Sequence, residues 1–454
     1  MSLAKHKVGT YKMLASYKAR QTTTHARLRP HKAIPNPLKL TNPAALFWMC
    51  VKSVLTEHLL SKKNNYAEFQ VNRTYSFEDL VMSQSVLLLE AGGDEPTAST
   101  VPGFYRNYWN NPEVDWMYRT QPQEDVCIDQ GDQGCMWPRG KMLGGTSVLN
   151  GMMYHRGHKA DYDDWVRLYN ATGWSWDEVR PFFDKSEDNK QMGTVVSEKD
   201  HGAGGQGLKR YLMSKPSYLY IFFQFKHQPK LIFDILDAVQ EAGFPVVSDM
   251  NDPNADGGFA IAQAFNHNGS RYSTSRAFLR PASDRTNLDV TLRAHVSRLL
   301  FDGDQVMGVE YLRGGETHVV QVTKEVILSA GALNTPQILL LSGIGPKETL
   351  KKHDIHVVAD LANVGQNLRN HLGVNFYFIM EKDKNTRILD WSVATKYLLN
   401  REGIMSSTGI TQVAHKECES VGNVSLLKCE RNTLYYCGIR SGVTTAWRST
   451  LTPF

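Results

Sequence analysis

An α/β fold, α+β when the whole chain is counted, is predicted by three stretches of the 454-residue sequence. SQSVLLLEAGGDE, residues 83–95, carries four consecutive apolar residues closed by Glu90 and a glycine pair, the pattern of a strand buried on both faces of a parallel sheet. From Asn287, NLDVTLRAHVSRLLFD, VMGVEYLRGG and THVVQVTKEVILSAG alternate between Gly/Asp turns, which predicts a β-meander feeding a last parallel strand, Val326–Ser329. GALNTPQILLLSGIG follows. A glycine turn at 331, Thr335 as N-cap and Pro336 at N1 predict a short helix at that strand's carboxyl end, where open α/β sheets bind ligands.

Glu90 ends the first of these strands. In a dinucleotide-binding unit a carboxylate there accepts hydrogen bonds from ribose hydroxyls, about 20 residues after a glycine-rich turn that holds the pyrophosphate. Upstream of Glu90 that turn is absent: Gly9 is the only glycine among residues 1–91. Downstream, GCMWPRGKMLGGTSVLNGMMYHRGHKADYDDW, residues 134–165, has glycines at 134, 140, 144, 145, 151 and 157. Such a segment reads as irregular backbone rather than helix or strand, either laid close against a flat ligand where Cβ atoms would intrude or forming a surface loop.

Two helices are predicted beyond it. Ser175 followed three residues later by Glu178 forms a capping box. In PKLIFDILDAVQEAGF, Ile232, Ile235, Leu236 and Val239 share one helical face, ended by Gly243. SKPSYLYIFFQFKHQ between them is aromatic and aperiodic, and its pattern assigns it no role.

With 41% hydrophobic and 21% charged residues, the chain suits a large two-domain globular protein, and no apolar run reaches the 18 or so residues of a membrane span. The net charge of +5 is unevenly placed. Residues 1–56 hold ten of the 51 Lys and Arg and none of the acids, so the remainder carries 41 against 46. A mildly acidic body gives nucleic-acid binding little support. The basic segment resembles a mitochondrial transit peptide in composition, or is an unstructured extension or a mispredicted start. Cys127 and Cys135 close a small polar loop and could pair, no Cys/His spacing suggests a metal, and sequons begin at Asn72, Asn170, Asn268 and Asn423. The sequons and that cysteine pair fit an exported protein, although no secretory signal is visible at Met1.

GKMLGGTSVLNGMMYHRGHKADYD and GALNTPQILLLSGIG resemble the two signature segments of the glucose-methanol-choline (GMC) oxidoreductases, flavoenzymes that oxidise alcohols. VLLLEAGGDE, the WPRGK lead-in, SRYSTSRAFLRPASDRTNL and DLANVGQNLRNHL are similar to the same family, and the Cys127–Cys135 loop to its insect-type glucose dehydrogenase branch. The resemblance implies FAD as cofactor, bound by a Rossmann-like domain with a β-meander, plus an incomplete substrate-binding domain. It implies that Glu90 binds the adenosine ribose. It further implies that Met142, Gly144, Gly145, Asn150, Gly151, Met152 and Met153 wrap the pyrophosphate and isoalloxazine, that Val296 holds the adenine through its backbone, and that Ala330 and Gly331 approach the cofactor.

The implied organisation is a basic extension over 1–70 and a FAD-binding domain over 71–372, with substrate-domain insertions around 210–270. The start of a substrate-binding domain over 373–415 and an unmatched tail over 416–454 complete it. The implied function is oxidation of a CH–OH group of a sugar or other alcohol by hydride transfer to flavin, with a quinone-type acceptor or oxygen taking the electrons. The alternative is an inactive or truncated relative with a binding role or none. No histidine follows His415, so the family's catalytic pair is not assigned; His371, preceded by Asn370 where the family has aspartate, reads as structural.

Overall fold

The structure is a computed structural model that describes residues 85–123, 126–127, 130, 134–189, 225, 227–255, 257–368, 370 and 390–409. The backbone alone is described for strands 54–55, 220–224, 413–417 and 435–436. All of these lie in the unit Leu38–Phe454. The transit-like segment, the sequons at Asn72 and Asn423, and His371 lie outside the described residues.

Val86–Glu90 pairs in parallel with Leu288–Leu292, in the register Val86↔Leu288 to Glu90↔Leu292. The stretch 287–302 is therefore not one arm of the meander. Arg293, at φ 55°, breaks the strand, because Arg293 N–H and Ala294 N–H turn back to Gly92 O and Glu90 O, both at 2.8 Å. The meander itself runs His295–Asp302, Gln305–Arg313 and Glu316–Gln321, all antiparallel. Its second hairpin closes on Gly314 and Gly315, both at positive φ, as a two-residue type I′ turn requires.

Val326–Ile327 also departs from expectation. It is two residues long and pairs antiparallel with Val54–Leu55, not in parallel with a neighbour. Helix Gly331–Leu341 begins five residues earlier than the Thr335 cap predicts, with Ala330 as N-cap and Pro336 inside. The Thr335 hydroxyl accepts from Ala330 N–H at 3.1 Å and so fastens the first turn from within. Leu299, Val309, Leu328 and Ile338 form the core beneath this helix, with Leu89 of the parallel strand packed against it.

The glycine-rich stretch stays irregular as far as His158, but its last residues are helical, Lys159–Tyr169. His158 Nδ1 accepts from Ala160 N–H at 3.1 Å, and His158 N–H donates to Asp161 at 3.1 Å. These caps let the helix start where the glycines end. Helix Trp176–Ser186 starts as expected: Glu178 accepts from Ser175 N–H at 2.9 Å and from its hydroxyl at 2.6 Å. Tyr162, Trp176, Val179 and Phe183 bury the faces of both helices. Lys230–Glu241 turns Ile232 inward and ends at Gly243, φ 87°.

The aromatic stretch gains a role here. Tyr220–Gln224 is a strand, parallel to Glu187–Asn189 and antiparallel to Gln263–His267, which in turn pairs with Ser270–Arg271. A separate ladder joins Gly257–Ile261 to Val413–Glu417 and Tyr435–Tyr436. Among the described residues no helix is long and apolar enough to cross a membrane.

Candidate functional site

Of the expected site residues, Met142 is held against the chain that leaves the carboxyl end of Val86–Glu90. Gly92 packs so closely on the Lys141–Met142 peptide that a Cβ would lie 1.9 Å from Lys141 O, a contact open only to glycine. Gly93 bridges Met142, and Leu143 N–H donates to Gly93 O at 2.8 Å. On the opposite side the Arg293–Ala294 turn is bonded to the same strand end, which places Val296, opposite Tyr311, just beyond it. Glu90, Met142 and Val296 thus meet although some 200 residues of sequence separate them.

One Glu90 oxygen accepts from Gly92 N–H at 2.7 Å. The other has no protein partner among the described residues. Burial raises the Glu90 carboxyl above its usual range, against the pull of the Gly92 bond. A half-buried carboxylate with one open oxygen is suited to accept from hydroxyl groups.

The 144–153 segment is fixed by its carbonyls. Gly144 O accepts from the hydroxyls of Ser147 at 2.5 Å and Thr274 at 3.1 Å, and Leu149 O accepts from Trp109 Nε1 at 3.0 Å. Arg271 donates to Ser147 O at 3.0 Å, Asn150 O at 2.7 Å and Asn150 Oδ1 at 2.8 Å. Asn150 Oδ1 also takes Met152 N–H, and Gly151 lies between them. Met152, fully buried at φ 68°, accepts from Phe265 N–H at 2.8 Å, while Met153 bridges Ala264. Gly145, at φ 53°, has no atom within 4 Å of where a Cβ would stand. Gly144, at φ 93°, is crowded instead by Val148 and Ser275.

An aromatic ladder links the helix that follows Ala330 to the glycine-rich segment. Tyr118 OH bonds Asn334 in the first turn of the helix, Trp116 stacks on Tyr118, and Trp116 meets His295 edge-on. Lys141 Nζ sits 5.0 Å over the Trp116 ring, which ties the ladder to the glycine-rich segment. Burial and Lys141 lower the His295 pKa, favouring its neutral form. Gly331, at φ 89°, likewise has nothing within 4 Å of a Cβ position.

Sequence reasoning missed Trp109, Tyr118, Thr274 and Arg271. The last two lie in SRYSTSRAFLRP, a family-like stretch whose pattern does not say which side chains turn inward. Cys127 and Cys135 form a disulfide. His415 falls in strand Val413–Glu417, opposite Phe259, with only its backbone described.

The GMC oxidoreductase model matches residues 55–373, well over half of the chain. The chain belongs to the GMC oxidoreductase family. Glucose dehydrogenase (FAD, quinone) of Drosophila melanogaster is 45% identical over 334 residues, covering 73% of this chain and 50% of that protein. Mitochondrial choline dehydrogenase of Homo sapiens is 37% identical over 305 residues, covering 64% of this chain and 47% of that protein. This GMC chain therefore spans about half the length of the curated relatives it matches. Among solved structures, a formate oxidase from Aspergillus oryzae superposes with a TM-score of 0.62 at 26% identity, covering 74% of this chain and 57% of the other. The fold is the Rossmann-like FAD-domain fold of the GMC family.

The residues present fit that cofactor. An open carboxylate oxygen stands at a strand end, and two glycines at positive φ leave space beside the backbone. Holding FAD would fall to Glu90, the 142–153 segment, Val296 and the Ala330–Gly331 turn. Among the described residues no group of three His, Cys, Asp or Glu side chains could hold a metal ion.

Proposed function

We propose that this chain is the FAD-holding part of a GMC oxidoreductase that oxidises a CH–OH group of a sugar or other alcohol. A quinone-type compound is the proposed electron acceptor, after the name carried by the Drosophila relatives. The observation that carries the reading is the Gly92 contact, which seats Glu90 directly against the glycine-rich segment. Bound flavin supplies hydride acceptance. The chain's own residues bind and orient: Glu90 takes ribose hydroxyls, and the pinned 144–153 backbone shapes the wall beside the ring system. Identity of 45% over 334 residues supports an oxidoreductase over an inactive relative.

The domain division carries over into this reading. The ladder joining Gly257–Ile261 to Val413–Glu417 supports a substrate-side unit built from both the 210–270 insertion and the segment after 373. Export is part of the proposal too. The Cys127–Cys135 disulfide supports it, as do the sequons at Asn170 and Asn268, both exposed residues at positive φ. Loss of mass on enzymatic deglycosylation of the secreted chain is the expected result, and a chain retained inside cells with free thiols would overturn that part.

The cofactor reading is tested by visible absorbance of the purified chain expressed with FAD available. About one mole of flavin per mole of protein is expected, as for any one-site flavoprotein. Repeated purification without flavin, with FAD supplied throughout, would overturn it.

A further inference from the structure

Arg271 is 2% exposed, yet every acceptor it reaches is uncharged: Ser147 O, Asn150 O and Asn150 Oδ1. Its Nε is buried with no acceptor among the described residues. The nearby acids are already engaged. Glu95 accepts from Ser273 Oγ at 2.6 Å and from Arg280 Nε at 3.3 Å, and lies 2.7 Å from Arg276 Nε, off the line of that N–H. Asp94 accepts from Arg280 at 2.7 Å. Two carboxylates therefore serve two arginines, and Arg271 is the third cation. The phenols of Tyr105 and Tyr108, the other titratable groups facing it, are held neutral because burial raises both.

A buried guanidinium without a carboxylate keeps a charge that the protein does not compensate. Burial accordingly pulls the Arg271 pKa down to about 9, opposed by Tyr105 and Glu95. Arg271 also holds the segment that, on the reading above, lies against the cofactor.

We propose that Arg271 is the internal counter-ion for the diphosphate of the cofactor, a positioning residue that acts through the 147–150 backbone it fastens. This rests on the FAD reading. The charge left open in the protein is closed by the ligand, so anionic and uncharged ligands respond differently to its removal.

Titration calorimetry of the flavin-stripped chain with ADP, which carries the diphosphate, and with adenosine, which carries no charge, separates the possibilities. Arg271→Gln should weaken ADP by about tenfold or more and leave adenosine within about twofold, whereas Arg271→Lys, which keeps the charge, should lose about threefold or less in ADP. Asn150→Asp is a second, isosteric variant. It places a carboxylate on Arg271 where an amide oxygen already sits at 2.8 Å, and should weaken ADP selectively even if the Arg271 variants do not fold. Equal weakening of ADP and adenosine would make Arg271 a steric clamp and overturn the assignment. Unchanged ADP affinity in Asn150→Asp would overturn it as well. A wild-type chain that binds neither FAD nor ADP would overturn the cofactor reading, and this assignment with it.

Discussion

Two buried arginines, Arg156 and Arg271, show how the same side chain is used in two ways. Arg156, 1% exposed, donates to Tyr154 OH at 2.9 Å, to Asp184 at 3.0 Å and to Glu187. Its N–H is taken by Asn251 Oδ1 at 2.8 Å, and its carbonyl by Tyr162 OH at 2.6 Å. Burial works against its charge, but Tyr154, Glu187 and Asp184 outweigh that and raise its pKa. Arg271 bonds no acid among the described residues, and burial outweighs the pull of Tyr105 and Glu95 to move its pKa the other way. A closed charge knot ties helices and strands together, whereas an open one is prepared for something from outside.

The largest effect should come from opening the closed knot. Glu187→Gln takes one carboxylate from Arg156, which also pairs with Asp184, and is expected to destabilise the chain by about 3–5 kcal/mol, read from the denaturant midpoint. A loss below about 1 kcal/mol would mean that Arg156 is no better compensated than Arg271, and the contrast would collapse.

Gly92→Ala disturbs the ligand side instead. Its Cβ would meet backbone, not a movable side chain, so the strand end must shift away from Met142. Overpacking of this kind costs about 1–3 kcal/mol, and FAD affinity should fall further, by about tenfold or more. Stability and affinity measured on one preparation check this; an affinity that follows stability alone would show that the junction has no binding role.

Glu90→Gln sharpens the comparison through its sign. A carboxyl raised in the folded state binds protons more tightly there than in the unfolded chain, so cofactor-free stability rises as pH falls through the raised value. It levels off below the ordinary value of 4.5. Glu90→Gln should remove that slope and make the cofactor-free chain more stable at neutral pH while weakening FAD. Removing a charge would then stabilise the ligand side and destabilise the knot. A wild-type curve that lacks the slope would contradict the reading of Glu90 as a burdened carboxylate.

The smallest effect is expected at Glu178→Ala. It removes the acceptor for Ser175 at the start of the helix that carries Asp184, and should cost about 0.5 kcal/mol by thermal melting. A loss comparable to that of Glu187→Gln would mean that the knot depends on the helix end more than on its own ion pairs.

Much of the ligand side was legible in the sequence because glycines and a strand-end carboxylate are local signals. Gly144, Gly145 and Gly331 announce positions where backbone must turn or approach closely, and Glu90 closes an apolar run, whereas the close approach of Gly92 to Lys141 emerged only in the structure. The meander was legible for the same reason, through alternation and turn residues. The start of helix Gly331–Leu341 was misread because Thr335 followed by Pro336 has the pattern of a cap, whereas here the Thr335 hydroxyl reaches back to Ala330 N–H from inside the helix. The strand at Tyr220–Gln224 was not legible, since a run of aromatics has no period until its neighbours Glu187–Asn189 and Gln263–His267 lie beside it.

By itself, the sequence determined the family-type signatures, the alternating strands, the capped helix at Ser175 and the backbone positions reserved for glycine. These depend on neighbours within a few residues, where period, caps and the absence of a Cβ act directly. Only the tertiary structure decided that Glu90, Met142 and Val296 share one strand end, that Val326–Ile327 pairs in the reverse sense, and that Arg156 finds carboxylates while Arg271 does not. Charge compensation is a property of three-dimensional surroundings, and an arginine carries no mark in the sequence of which acids will reach it.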